Sequence, residues 1–163
     1  MPAIRKIRLS TPLGFIIIQS TNDQLVRISL DPDQDIKEES AKDIPSCLRL
    51  AKKQLDEYFS GKRKSFSLPY LVSVKGSYQR IYDTLLHLPY GKTTSYAELA
   101  HQSGFKSGAR AVGNAMARNP LPLLIPCHRV IRSNGTIGEY SLGGTQNKKL
   151  LLQLEASYAE EKV

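Results

Sequence analysis

The chain has 163 residues, 40% apolar and 23% charged, with 23 Lys and Arg against 15 Asp and Glu for a net charge of +8. That is enough for one domain or two small ones with a real core, and it is the balance of an ordinary soluble globular protein. No apolar stretch approaches a membrane span and the segment from Met1 to Lys6 lacks a signal-peptide core, so no membrane partner is expected and the protein should stay in the cytoplasm. Cys47 and Cys127 are too few for a disulfide framework, and His87, His101 and His128 have no zinc spacing, so no metal and no cofactor are expected.

Residues 4–10 alternate Ile4, Lys6 and Arg8 against Arg5, Ile7 and Leu9, which predicts a strand. A turn follows at Thr11-Pro12-Leu13-Gly14, then the β-branched strand Phe15-Ile16-Ile17-Ile18. Thr21-Asn22-Asp23-Gln24 turns the chain into a third strand over 25–30. Residues 31–43 are acidic and polar and read as a surface loop. A helix is expected from Pro45 to Ser60, closed by Gly61, with Cys47, Leu48, Ala51, Leu55, Tyr58 and Phe59 as its apolar stripe. Cys47 on that stripe reads as core packing, and Gly61-Lys62-Arg63-Lys64 as a solvated turn. The pattern restarts near 69–75, which divides the chain into a domain over 1–72 and another over 73–163.

In the second part, Tyr78, Ile81, Tyr82, Leu85 and Leu86 have helical spacing, and Pro89-Tyr90-Gly91-Lys92 should stop that helix. Thr94 or Ser95 can cap the next one, and Ser95 with Glu98 has the spacing of a capping box. Gly104 ends it, and a further helix runs from about Gly108 to Ala117, stopped by Asn119-Pro120. Two short helices joined by a Gly-containing turn make a helix-turn-helix. The second is rich in small residues, which suits close approach to a groove. Ser133-Asn134-Gly135-Thr136 reads as a hairpin turn, residues 141–147 as a Gly-rich loop, and Gln146–Tyr158 as a closing helix.

Between these elements lies the chemistry. The apolar run Leu121-Pro122-Leu123-Leu124-Ile125 reads as a buried segment that stops at Pro126, and Cys127-His128 follows directly. A thiol near its unperturbed pKa of about 8.5 is mostly protonated at neutrality, so a nucleophilic cysteine needs a base in reach, and the base needs a third group to orient it. Charge supports a polyanionic partner. Between Lys75 and Leu150 ten basic residues face three acidic ones, which places +7 of the +8 in this part.

Pro126-Cys127-His128-Arg129-Val130, together with Ser95 to Ala100, Arg110 to Met116, Asn119-Pro120, Gly138, Tyr140 to Gly144 and Lys148 to Glu155, resembles the O6-alkylguanine-DNA alkyltransferases over about Tyr78–Glu155. A weaker echo precedes it in Gln54-Leu55, Tyr58-Phe59, Gly61 and residues 66–69. The resemblance implies an α+β protein: a small N-terminal antiparallel sheet with a helix, ribonuclease-H-like and structural in role, then a mostly helical C-terminal domain with a helix-turn-helix. It implies a methylated-DNA–protein-cysteine S-methyltransferase, a monomer whose partner is double-stranded DNA containing O6-alkylguanine.

The same resemblance assigns residues. Cys127, His128, Glu155 and Tyr96 are the catalytic set, with Glu155 orienting His128 and Tyr96 donating its hydroxyl to the base. Ser95, Arg110, Ala111, Gly113, Asn114 and Arg129 contact DNA, with Arg110 filling the stack after the base rotates out. Met116, Pro126, Val130, Tyr140 and Ser141 form the base pocket, and backbone groups of Cys127 and Val130 read the exocyclic amine. Asn119 ties the helix-turn-helix to residues 120–126. Read without the resemblance, Arg110 is a phosphate contact or a surface charge and Tyr96 a core tyrosine. Two rival readings are a non-catalytic alkyl-base binder, which the presence of Cys127 opposes, and a cysteine hydrolase, which requires an oxyanion hole.

Overall fold

A computed structural model describes residues 2–33 and 43–160. The chain divides into two compact units between Val72 and Ser73. In the first, β1 (Arg5–Thr11), β2 (Gly14–Thr21) and β3 (Gln24–Leu30) form an antiparallel meander in that order, followed by α1 (Ser46–Phe59). The period-2 pattern sets the faces: Ile7 pairs with Ile18 and Leu9 with Ile16, so four apolar side chains lie on one side of the sheet. All four are buried, as are Cys47, Leu48, Ala51, Leu55 and Tyr58 on α1. Each fully buried Leu or Ile contributes about 1.5–3 kcal/mol.

The start of α1 is capped from a distance. Pro45 at the N-cap position has no side chain to offer, and Asp23 in the β2–β3 turn takes over. Its Oδ1 accepts from Cys47 N at 2.9 Å and its Oδ2 from Ser46 Oγ at 2.6 Å. The expected acidic surface loop over 31–43 lies, for 34–42, outside the described residues. Its first residue is not on the surface: Asp31 is buried and pairs with Arg8 Nε at 2.7 Å.

The second unit contains α2 (Ser77–Leu85), β4 (Thr94–Ser95), α3 (Tyr96–Gln102), α4 (Ala109–Ala117), a 3-10 turn over Cys127–Arg129, β5 (Val130–Ile131) and α5 (Gly144–Tyr158). α2 ends at Leu85, before the proline, because the chain tightens into turns at His87 and Leu88. Ser95 is the cap of α3, accepting from Glu98 N at 3.0 Å. Only half of the capping box forms, since Glu98 Oε1 accepts from Gln102 Nε2 instead. α3 and α4 make the helix-turn-helix. Its turn needs glycine at 108, where a Cβ would sit 2.8 Å from Phe105 Cβ.

Two expectations are corrected here. The turn at Ser133–Thr136 forms, with Asn134 Oδ1 accepting from Thr136 N and Arg132 N donating to Thr136 O, but it does not close a two-stranded hairpin. β5 pairs instead with β4, in parallel, so the residues just after His128 are tied to the start of α3. The closing helix also begins at Gly144, two residues earlier than expected, which shortens the Gly-rich loop. Ser95→Ala removes the cap of α3 and should cost about 1 kcal/mol. Thermal unfolding should show a fall of about 2–4 °C, with Ser95→Asp restoring the wild-type value.

Candidate active site

The backbone that carries Cys127 is built from two tight turns. Pro126 sits at φ −79 and ψ 64 with Cys127 N donating to Ile125 O at 2.7 Å, which is an inverse γ-turn. The 3-10 turn over 127–129 follows. Leu121–Val130 is buried throughout, and Leu123 takes a φ of 80, a costly value for a branched residue. Asn119 holds this loop together: its Nδ2 donates to Ile125 O at 2.9 Å and its Oδ1 accepts from Leu121 N at 3.0 Å. Asn119 also acts on the Cys127 thiol, lowering it against the effect of burial.

His128 is fully buried, and its Nε2 donates to Glu155 Oε2 at 2.6 Å. That bond leaves Nδ1 as the acceptor nitrogen. Glu155 is saturated: its Oε1 takes Arg129 Nε at 2.8 Å and Gly91 N at 3.1 Å, and its Oε2 also takes Arg129 Nη2 at 3.1 Å. Burial alone would raise the Glu155 carboxyl, but the hydrogen bonds and charges of His128 and Arg129 outweigh it and hold it well below the usual carboxylate range. Burial lowers His128, despite Glu155, so its resting imidazole is neutral. Burial likewise pushes the Cys127 thiol up to about 11, against the opposing pull of Asn119 and Lys148.

A cavity of about 330 Å³ opens onto the thiol, with Tyr96, Gly113, Met116, Cys127, Tyr140 and Ser141 on its wall and Ala117 and Glu139 completing it. Of the pocket residues expected from sequence, Met116, Tyr140 and Ser141 are there. Pro126 and Val130 are buried on either side of the 127–129 segment and are not among the residues that line the cavity. Tyr140 is buried with a hydroxyl that has no partner among the described residues, and burial raises it well above the ordinary tyrosine value. Its ring stands edge-on to His128. The carbonyls of Cys127 and Val130 each already accept one donor, Val130 N and Lys148 Nζ, which leaves one lone pair on each.

On the helix-turn-helix, Arg110 and Asn114 are exposed, Ala111 and Gly113 half-buried, and Val112, Ala115 and Met116 face inward. Arg110, Gly113, Asn114 and Ala117 therefore form the open face of α4, and that face borders the cavity through Gly113 and Ala117. Ser95 Oγ accepts from Glu98 N and keeps its O–H to donate.

Arg129 is a correction. It is 7% exposed, its guanidinium is bound to Glu155 and to Leu88 O at 3.0 Å, and it lies over the Tyr90 ring. A side chain so engaged does not reach DNA; it anchors the carboxylate that orients His128. Sequence reasoning also missed Lys148. Its Nζ is fully buried and donates to Val130 O at 2.6 Å, Glu139 O at 3.1 Å and Tyr96 Oη at 3.4 Å. Burial lowers it to about 8, with the Cys127 charge opposing. It clamps β5 to the loop before Tyr140 and points the Tyr96 hydroxyl. The one available signal was its helical spacing, seven residues before Glu155 and so two turns along the same face of α5.

Residues 76–157 match the family model described as the 6-O-methylguanine DNA methyltransferase DNA binding domain, and residues 4–71 match that family's ribonuclease-like domain. The constitutive methylated-DNA–protein-cysteine methyltransferase of Bacillus subtilis is 39% identical over 93% of this chain and 95% of its own length. The crystal structure of the Mycobacterium tuberculosis O6-methylguanine methyltransferase superposes with a TM-score of 0.84 at 31% identity, covering 98% of this chain and 97% of that one. The same organism's protein in complex with DNA matches at a TM-score of 0.80 and 32% identity, over 93% and 92%. A chain with a ribonuclease-like domain and a helix-turn-helix domain that carries the thiol thus has direct counterparts. The chain belongs to the 6-O-methylguanine DNA methyltransferase family.

Proposed function

We propose that this protein repairs DNA by moving an alkyl group from O6 of guanine onto Cys127, once per molecule. The carrying observation is the placement of Cys127 on the wall of a cavity bordered by the exposed face of α4, with a buried His128–Glu155 pair directly behind it. The 73–163 part binds DNA and carries the chemistry, and the 1–72 part is structural. No helix among the described residues is long and apolar enough to cross a membrane. A free nucleophilic thiol needs a reducing compartment, which favours the cytosol.

A base stacked in duplex DNA is out of reach of the cavity, so it must rotate out, at a cost of a few kcal/mol. Arg110, exposed in the first turn of α4, takes its place, its planar guanidinium stacking on the neighbouring bases. In the cavity His128 Nδ1 receives the Cys127 proton through a bridging water, and Glu155 stabilises the imidazolium. The sulfur then attacks the alkyl carbon in line. The C–O6 bond breaks and its electron pair stays on guanine. Tyr96, held by Lys148, stabilises the leaving guanine anion with a hydrogen bond, and uptake of one proton, matching the one taken by His128, completes the neutral lactam. The carbon is saturated, so no tetrahedral oxyanion forms. The product is a thioether with no leaving group better than the thiolate it replaced, so the thiol is not regenerated.

Incubation with excess O6-methylguanine duplex should give one equivalent of repaired base and one S-methylcysteine at residue 127. Many equivalents would indicate a hydrolase, and none a binder. Arg110→Ala should slow repair of the duplex by about tenfold or more, on the few kcal/mol that flipping requires. It should leave the reaction with free O6-benzylguanine within about twofold, because a free base has no stack to leave. Equal slowing of both in single-turnover assays would move Arg110 from flipping to the fold.

A further inference from the structure

Glu139 brings the one charged side chain to the cavity wall. The other wall residues, among them Tyr96, Gly113, Met116, Tyr140 and Ser141, are neutral, and Glu139 is exposed at the opening. Its backbone is anchored, because its carbonyl accepts from Lys148 Nζ. No hydrogen bond or ion pair engages its carboxylate among the described residues. Two cations are near. Arg132 is exposed, and Lys148 is buried with its three N–H donors directed at Val130 O, Glu139 O and Tyr96 Oη, so it has none left for an incoming anion. The carboxylate is also close enough to be felt inside. After burial and Cys127, the charges acting on the Tyr96 hydroxyl are those of Arg132, which lowers it, and Glu139, which raises it. The same two act on Lys148 in the same directions.

An alkyl carbon under attack must approach the Cys127 sulfur to about 3–3.5 Å, so whatever hangs from O6 occupies this cavity. We infer that Glu139 sets the charge selectivity of the repaired alkyl group: a lesion whose O6 substituent ends in an anion is disfavoured against its neutral isostere, and one that ends in a cation is favoured. The physical cause is Coulomb interaction across a space that the bound base and DNA shield from water, where charges a few ångströms apart interact more strongly than in bulk solvent. This inference rests on the alkyl-transfer reading and adds the substrate class to it.

The test uses the full chain and single-turnover rates on four duplexes, carrying O6-carboxymethyl-, O6-carbamoylmethyl-, O6-(2-aminoethyl)- and O6-(2-hydroxyethyl)guanine. Within each protein the rate on the charged lesion is divided by the rate on its neutral counterpart, which cancels changes in folding or DNA affinity. The carboxymethyl ratio should rise about tenfold from wild type to Glu139→Gln and further in Glu139→Lys, while the aminoethyl ratio falls. Added salt should narrow the wild-type difference. Ratios that are the same in all three proteins overturn the inference while leaving alkyl transfer standing. No transfer from an O6-methylguanine duplex run beside these four takes down both.

Discussion

Cys127→Ala abolishes alkyl transfer, with a rate loss on the order of 10⁴-fold or more, and leaves binding to O6-methylguanine duplex within about threefold. The two halves of this expectation come from different parts of the molecule. Transfer needs a thiolate, and no other described side chain on the cavity wall supplies one. The alternatives are the Tyr96, Tyr140 and Ser141 hydroxyls, of which both tyrosines are raised by burial, the neutral Met116 thioether and the weakly nucleophilic Glu139 carboxylate. Binding rests on the open face of α4 and on phosphate contacts by the basic second unit, and Cys127 is only 3% exposed. The measurements are a single-turnover methyl-transfer assay and equilibrium binding at two salt concentrations. Binding that falls in step with transfer would mean the thiol is needed to shape the pocket, and would reassign its role.

Glu155→Ala should destabilise the protein by about 3–5 kcal/mol, out of roughly 5–15 kcal/mol in total. The reason is what it strands. Arg129, His128 and Gly91 N all lose the same partner, and the buried Arg129 charge keeps only Leu88 O at hydrogen-bond distance among the described residues. Removing one side of a buried pair costs far more than the intact pair contributes. Urea denaturation at pH 7 should show the loss, and the melting temperature should fall by about 6–20 °C. Transfer should slow by about 10²–10⁴-fold in the fraction still folded, because His128 loses its orienting group.

The pH dependence of that stability has a definite sign. The folded Glu155 carboxyl lies well below its unfolded value of about 4.3. Its contribution is complete above about pH 5 and is lost as pH falls through and below that value. The stability gap between wild type and Glu155→Gln should therefore shrink on acidification from about pH 5 to about pH 3. A gap of constant size over that range would show that the carboxylate is not the group holding Arg129 and His128.

Several features were legible in the chain before any coordinate. Alternation at Ile7, Leu9, Ile16 and Ile18 specifies a sheet face because side chains in a strand have period two, and all four are buried together. Helical spacing at Tyr78, Ile81, Tyr82 and Leu85 likewise marks the inner face of α2, and Ser95 before Glu98 marks a helix start. The nucleophile and its base were adjacent in sequence, so Cys127-His128 needed no fold to be noticed. These are local properties: a dihedral preference, a period, a neighbouring side chain.

What the sequence alone left open depends on distance through space. Arg129 and Lys148 counted as surface charge because a residue letter carries no burial, yet both are buried, one on Glu155 and Leu88, the other on Val130, Glu139 and Tyr96. Their partners lie between nine and 52 residues away. The pairing of β4 with β5 joins positions 36 apart in the chain, and nothing in the two short runs 94–95 and 130–131 announces it. Composition, patterning and the motif by themselves determined the three-stranded sheet, the helices α1 to α5 and which atom is the nucleophile. Only tertiary packing decided which charges face solvent and which are enclosed. The physical reason is that a charge can be buried only where the folded chain supplies enough hydrogen-bond partners to replace water, and those partners come from segments far apart in sequence.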